Sequence, residues 1–358
     1  MGGLFIVTLR KRKLELVYFR ALTCMLIILT HIFTEYMRHL DTTQLAEQKL
    51  IYYLQHIVIF GTPSFIILSQ LLTTLNYDTV NWKYIWERVK YILLPYFIVG
   101  AFYCFSESKI TATSFTHQLY ENLLLGRWHG YFIIVIMQFV LLSYMIFKIS
   151  PKIFDSKIML IATFVIQFSF LHQFDTNEAF SERFLAIYPL SENTFILGWI
   201  FFFFFGAYIG RNYTAVINFL HQYVFIVIIL TILSFGIFVI FQHHDYGWVT
   251  SFNENLMCYH ASMFLLLLSL CLHFKNLMIG SINLVSAFSF FIYLFHPIIL
   301  STLYEYFASF SDLTVVFIAI SLLYTLGICV GIGVFLREFR IFRFAIGKQP
   351  YHLNIRLS

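Results

Sequence analysis

The stretch Leu14-Glu-Leu-Val-Tyr-Phe-Arg20-Ala-Leu-Thr-Cys-Met-Leu-Ile-Ile-Leu-Thr-His31-Ile-Phe33 decides how the rest of the chain is read. It is long and apolar enough to cross a bilayer, yet it carries a guanidinium and an imidazole. A charge at that depth costs about 2.5–3.5 kcal/mol on insertion scales, so an intramembrane ionisable residue points to function. Arg20 and His31 are eleven residues apart. At about 100° per residue this is three turns plus roughly 20°, so both lie on one helix face, with their backbones roughly 16 Å apart along the axis. Glu35, four residues beyond His31, extends the stripe.

Composition agrees with a membrane chain. Of 358 residues, 60% are hydrophobic and 11% charged, against about 25% charged in soluble domains. The mean hydropathy is +0.79. Further apolar runs predict an all-α polytopic membrane protein of about ten transmembrane helices, near 14–34, 51–74, 86–105, 130–148, 157–173, 194–210, 215–241, 257–274, 283–304 and 313–336. This leaves one integral membrane domain over 1–358, with a basic N-terminal segment 1–13 and a basic tail 337–358. With the N-terminus inside, 17 of the 23 Lys and Arg residues fall in cytoplasmic segments, which predicts both termini in the cytoplasm. The net charge of +5 thus reports topology and not nucleic-acid binding. The N-terminus does not read as a cleavable signal peptide, so the first span is expected to be an uncleaved anchor.

The five cysteines lie in or beside apolar spans without metal-ligand spacing, and are expected to be buried thiols. No metal is expected. Gly61-Thr62-Pro63 is expected to kink the second span. A phosphate loop, an Asp-x-Asp pair and a Gly-x-Ser-x-Gly elbow are all absent.

The polar residues suggest a division of labour. His31 is the candidate general base, since a neutral imidazole accepts a hydroxyl proton near pH 7. Glu35 is the candidate to hold its second nitrogen and stabilise the imidazolium. Arg20 cannot deprotonate and needs acceptors, either a carbonyl or salt-bridge partner or an anionic group such as phosphate entering from the cytoplasm. Arg88 is placed to assist it. Trp128 and Tyr131 can stack on sugar faces or form an interfacial belt, and His296, before Pro297, can line a cavity or bond the freed carbonyl. His56, His129 and His172 read as interfacial, and His243-His244-Asp245 as a solvated loop.

Arg20 followed by His31, the basic proline-ended run Arg88-Val-Lys-Tyr-Ile-Leu-Leu-Pro95-Tyr96, Trp128-His-Gly-Tyr131-Phe132 and Ser289-Phe-Phe-Ile-Tyr293-Leu-Phe-His296-Pro297 together resemble the acyltransferase family 3 membrane proteins. Two departures are that Pro297 follows His296 directly, and that Ser69-Gln70 stands where many members have Ser-Gly. The runs 57–77, 188–194, 286–300 and 337–351 extend the likeness to members serving the biofilm polysaccharide poly-β-1,6-N-acetylglucosamine. The resemblance implies O-acylation of that polymer from an acyl-CoA, with succinyl-CoA the expected donor, in the plasma membrane of a bacterium beside a membrane glycosyltransferase (the synthase). It equally implies the alternative of a polymer exporter. A scaffold for the synthase would need neither Arg20 nor His31.

Overall fold

The computed structural model describes residues 13–39, 45–241, 246, 249–274, 276–307 and 314–348. The described residues form helices and turns with no strand. The α-helices are α1 (Leu14–His39), α2 (Leu45–Val58), α3 (Gly61–Asn76), α4 (Trp82–Arg88), α5 (Leu94–Ile110), α6 (Phe115–Gln118), α7 (Tyr131–Ile149), α8 (Lys157–Thr176), α9 (Glu178–Ile187), α10 (Ile200–Arg211), α11 (Tyr213–Phe241), α12 (Met257–Phe274), α13 (Ile279–Phe307) and α14 (Thr314–Arg337). Nine candidate spans among the described residues are long and apolar enough to cross a membrane. Two of them each join two of these α-helices. α2 and α3 form one, broken at Ile59 and Phe60. Gly61 lies against α1 there, where a Cβ would sit 2.7 Å from Ile27 Cγ1. Pro63 falls in the first turn of α3, where its missing N–H costs nothing. α4 and α5 form the other, joined through a π-helical turn at Val89–Leu93.

The sixth expected span differs from its prediction. α10 has only 12 residues, about 18 Å of rise, too short for a hydrocarbon core of about 30 Å. It still crosses. Its last residue, Arg211, reaches Asp78 (3.8 Å) and Asp155 (3.5 Å), in the loops that follow the second and fourth spans. The remaining depth is filled by irregular backbone at 191–199, containing two 3-10 turns. Lipid cannot satisfy such backbone, so protein must. Gln138, in mid-α7, donates to the Thr194 carbonyl (2.7 Å), and Gln167, in mid-α8, accepts from the Phe201 N–H (2.9 Å). Trp199 Nε1 donates to the Asn193 carbonyl (2.8 Å). Gln167→Leu should strand the Phe201 N–H and cost about 1–3 kcal/mol, read as a lowered melting temperature in detergent. A melting curve equal to wild type would show that the bond carries no stability.

The register of α1 on α13 also requires this crossing. Cys24 Sγ reaches the Ser289 carbonyl (3.6 Å), and the His31 ring lies 4.9 Å from that of His296. Both partners advance by seven residues, so the two helices run parallel. α13 is the ninth crossing only if α10 is counted, and first and ninth crossings share a direction. α10 runs along α3 through Gly206-Ala-Tyr-Ile-Gly210, a small-xxx-small interface. Thr74 Oγ1 donates across it to the Ala207 carbonyl (3.0 Å). α1 occupies the middle of the bundle, touching α2, α3, α12, α13 and α14. At its N-terminal end Glu15 accepts from the Tyr213 hydroxyl (2.8 Å), and Lys13 sits over the Tyr213 ring (4.0 Å). Four of the five cysteines are buried as expected, but Cys258 is exposed, because it falls on the outward face of the first turn of α12.

Candidate functional site

The polar face of α1 borders two places, a cavity and a cluster of imidazoles. The lower is a cavity of about 200 Å³. Arg20 lines it from α1, Ser69 and Leu72 from α3, Arg88 from α4, Tyr91 and Ile92 from the π-turn, Phe132 and Ile136 from α7, and Ser289 and Tyr293 from α13. Lys348 lines it from the C-terminal segment. The ends of the described chain therefore meet on one side of the bundle. The π-turn belongs to this wall. Pro95 leaves the Tyr91 carbonyl without its usual helical donor, and the chain widens there instead of kinking.

Arg20 makes no hydrogen bond or ion pair with any described residue. A guanidinium inside an apolar span, with neither carboxylate nor carbonyl among the described residues to hold it, calls for an anion. Arg88 lies over the face of Tyr84, 4.8 Å away, and forms no hydrogen bond or ion pair with a described residue.

The upper place is a cluster of three imidazoles. The His31 ring lies 4.9 Å from His296 and 6.1 Å from His129, and the latter two are 5.7 Å apart. His296 Nδ1 faces the Ile292 carbonyl (3.0 Å) and must carry its hydrogen there. Its Nε2 is buried and has no partner. His129 Nε2 donates in the same way to the Leu294 carbonyl (3.3 Å). Neither nitrogen of His31 is bonded to a described residue, which leaves it free to take a proton. Among the described residues no group of three or more His, Cys, Asp or Glu side chains is arranged to hold a metal ion.

Tyr293 separates the two places. Its ring contacts Phe132 (5.6 Å), His129 (6.0 Å) and His296 (6.3 Å), and its hydroxyl donates to the His129 carbonyl. Trp128 Nε1 donates to the Tyr96 hydroxyl (3.2 Å), which donates to the Leu123 carbonyl (2.9 Å). This network fixes the loop that carries His129.

The residues expected from sequence fall unevenly on this geometry. Arg20 and Arg88 meet in the cavity, and His31 and His296 in the cluster. Glu35 lies one turn above His31 but takes Arg38 at 2.6 Å, the nearer cation at i+3, so the expected His31–Glu35 bond is not the one formed. Trp128 is buried and packs its ring 4.5 Å from His129, so it is wall and not open sugar platform. Tyr131 stacks toward Trp199 (6.4 Å). His172 stays exposed, pairing with Glu254 at 3.2 Å. His129 is not interfacial, since it belongs to the cluster. His56 is also buried, its Nδ1 bonded to the Tyr52 carbonyl (2.8 Å) and its ring stacked on Phe238 (4.7 Å). His243-His244-Asp245 lies outside the described residues.

Relatives place this site in context. A Staphylococcus aureus (strain MRSA252) protein described as a "probable poly-beta-1,6-N-acetyl-D-glucosamine export protein" is 54% identical, the match covering 97% of this chain and 99% of the relative. A Staphylococcus epidermidis protein with the same description is 54% identical over 97% of this chain and 98% of its own. No solved structure matches the chain. The family model described as an acyltransferase domain matches residues 14–334, a span that takes in Arg20, Arg88, His31, His129 and His296, so the polytopic chain built around these groups belongs to the acyltransferase family 3.

Proposed function

We propose that this protein is a membrane O-acyltransferase that modifies poly-β-1,6-N-acetylglucosamine during its synthesis or export, with an acyl-CoA donor. The observation that carries this is Arg20, without a hydrogen-bond or ion-pair partner among the described residues, in the wall of a cavity that is also lined by Tyr293 beneath the histidine cluster. The donor enters from the cytoplasmic side, where both termini lie, in the plasma membrane of a bacterium. Its phosphates sit against Arg20 and Arg88, and its pantetheine arm rises along α1 past Ser289 to Tyr293. His31 removes the proton from a sugar hydroxyl, and the oxygen attacks the thioester carbonyl. The tetrahedral intermediate collapses with loss of the coenzyme A thiolate. The proton held by His31 returns to that thiolate, giving the ester and free coenzyme A. The proposed acyl group is succinyl, and the synthase that makes the polymer is the proposed neighbour.

Ester-linked acyl content of secreted polymer, measured in cells with and without this chain, tests the proposal. Loss of the esters with polymer still outside supports it, and unchanged esters refute it. The description of the relatives as probable export proteins favours export as a second reading, in which polymer accumulates inside cells lacking the chain. Against a conduit stands the inner cavity of about 200 Å³ with Tyr293 at its upper end. Arg20→Gln should raise KM for the acyl-CoA about tenfold or more, the scale of a charged hydrogen bond, with little change in kcat. Equal KM values in initial-rate assays would remove Arg20 from the donor site.

A further inference from the structure

The inner cavity has a third cation that neither the α1 stripe nor the third span supplies. The C-terminal segment turns back under the bundle after α14, and its residues Ala345 and Ile346 are buried. Phe344 stacks on Tyr91 (6.2 Å) beneath Lys90 (4.8 Å from the Phe344 ring). Gly347 has φ +74°, the left-handed region that favours glycine. A Cβ there would also lie 2.8 Å from Phe290 Cδ1 and 3.3 Å from the Tyr91 carbonyl oxygen. This turn delivers Lys348 to the rim of the cavity that Arg20 and Arg88 line. Glu87 holds its ammonium at 3.0 Å, and the side chain is 58% exposed.

We infer that Lys348 binds the outermost phosphate of the donor, the 3′-phosphate on the ribose of coenzyme A. The assignment rests on the donor reading above and follows from the order of charges. Arg20 lies six residues into α1, about 9 Å from its inner end, whereas Lys348 stands at the mouth. In coenzyme A the thiol arm is followed by a diphosphate and then by the nucleoside with its 3′-monophosphate. With the arm pointing inward, the diphosphate reaches the two guanidiniums, whose planar donor forks suit adjacent phosphate oxygens. The monophosphate is left at the rim, opposite a mobile point charge. Glu87 keeps that charge from folding away while the site is empty.

A plain surface ion pair pinning the tail would look similar but would be indifferent to the 3′-phosphate. The test therefore compares coenzyme A with 3′-dephospho-coenzyme A by calorimetry on the full chain in lipid nanodiscs. Wild type should bind coenzyme A roughly fivefold tighter, as for one partly exposed charged contact. Lys348→Gln and Gly347→Ala should bind the two ligands alike, at the wild-type affinity for the dephospho form, while Lys348→Arg keeps the preference. The retained dephospho affinity doubles as the control for folding. An undiminished preference in Lys348→Gln, or an equal loss for both ligands, would overturn the assignment and leave the donor reading standing. Failure of wild type to bind either ligand would overturn both.

Discussion

His31→Ala is expected to lower acyl transfer by about 10²–10⁴-fold, the range for removing a positioned general base, without removing the protein from the membrane. Among the described residues, the His31 imidazole is the one in the cluster with neither nitrogen bonded to a partner. His129 and His296 each spend a hydrogen on a carbonyl of α13, at Leu294 and Ile292. Transfer of labelled acyl groups to an oligomer of β-1,6-N-acetylglucosamine, in vesicles of matched protein content, measures the effect. The loss should fall on kcat, since His31 lies above Tyr293 and away from the cations that hold the donor. Retention of activity within threefold would end the proposal that His31 is the base. His31→Gln separates chemistry from packing, because it fills the space without accepting the proton. It should be as inactive as alanine.

The largest expected effect on folding comes from a position remote from this chemistry. Gly206→Ala should destabilise the bundle by about 3 kcal/mol, the upper end of overpacking costs. The new Cβ would sit 2.2 Å from the Ile67 carbonyl oxygen and 2.8 Å from its Cα. These are backbone atoms of α3, so no rotamer change relieves the clash and the two helices must separate. Their parting would break the Thr74 bond to Ala207 and pull Arg211 from its two aspartates. Yield of monodisperse protein in detergent and its melting temperature report the loss. Gly236→Ala and Gly327→Ala, where nothing lies within 4 Å of the added carbon, are the matched controls and should melt at or slightly above wild type. A normal melt for Gly206→Ala would mean that α10 does not pack as closely on α3 as described.

Most of this architecture could be read from hydropathy, and the placement of Arg20 and His31 on one face required only the helical period. What escaped was set by contacts between segments distant in the chain. His129 lies just before α7 and looks interfacial by position. Only the packing of its loop against α13, through Tyr293 and Leu294, draws it inward. Lys348 counted as one more inside charge because nothing local shows that Gly347 turns it toward the cavity. Glu35 follows His31 at i+4, but spacing alone could not tell that Arg38 would take it. The short sixth crossing hid behind a run of phenylalanines, although Gly206-Ala-Tyr-Ile-Gly210 gave a local signal of close packing and Gln138 and Gln167 stood out in apolar spans.

Those two glutamines impose an order on biogenesis. A segment with only 12 helical residues, preceded by irregular backbone, leaves backbone groups that lipid cannot satisfy. The bare carbonyl of Thr194 and amide of Phe201 would meet hydrocarbon unless α7 and α8 were already beside them. The sixth crossing must therefore enter as cargo of the fourth and fifth, held at the translocation site until they have assembled around it. Nascent chains released just beyond Arg211 should keep that segment in the bilayer with both glutamines intact and lose it to the aqueous side when both are replaced.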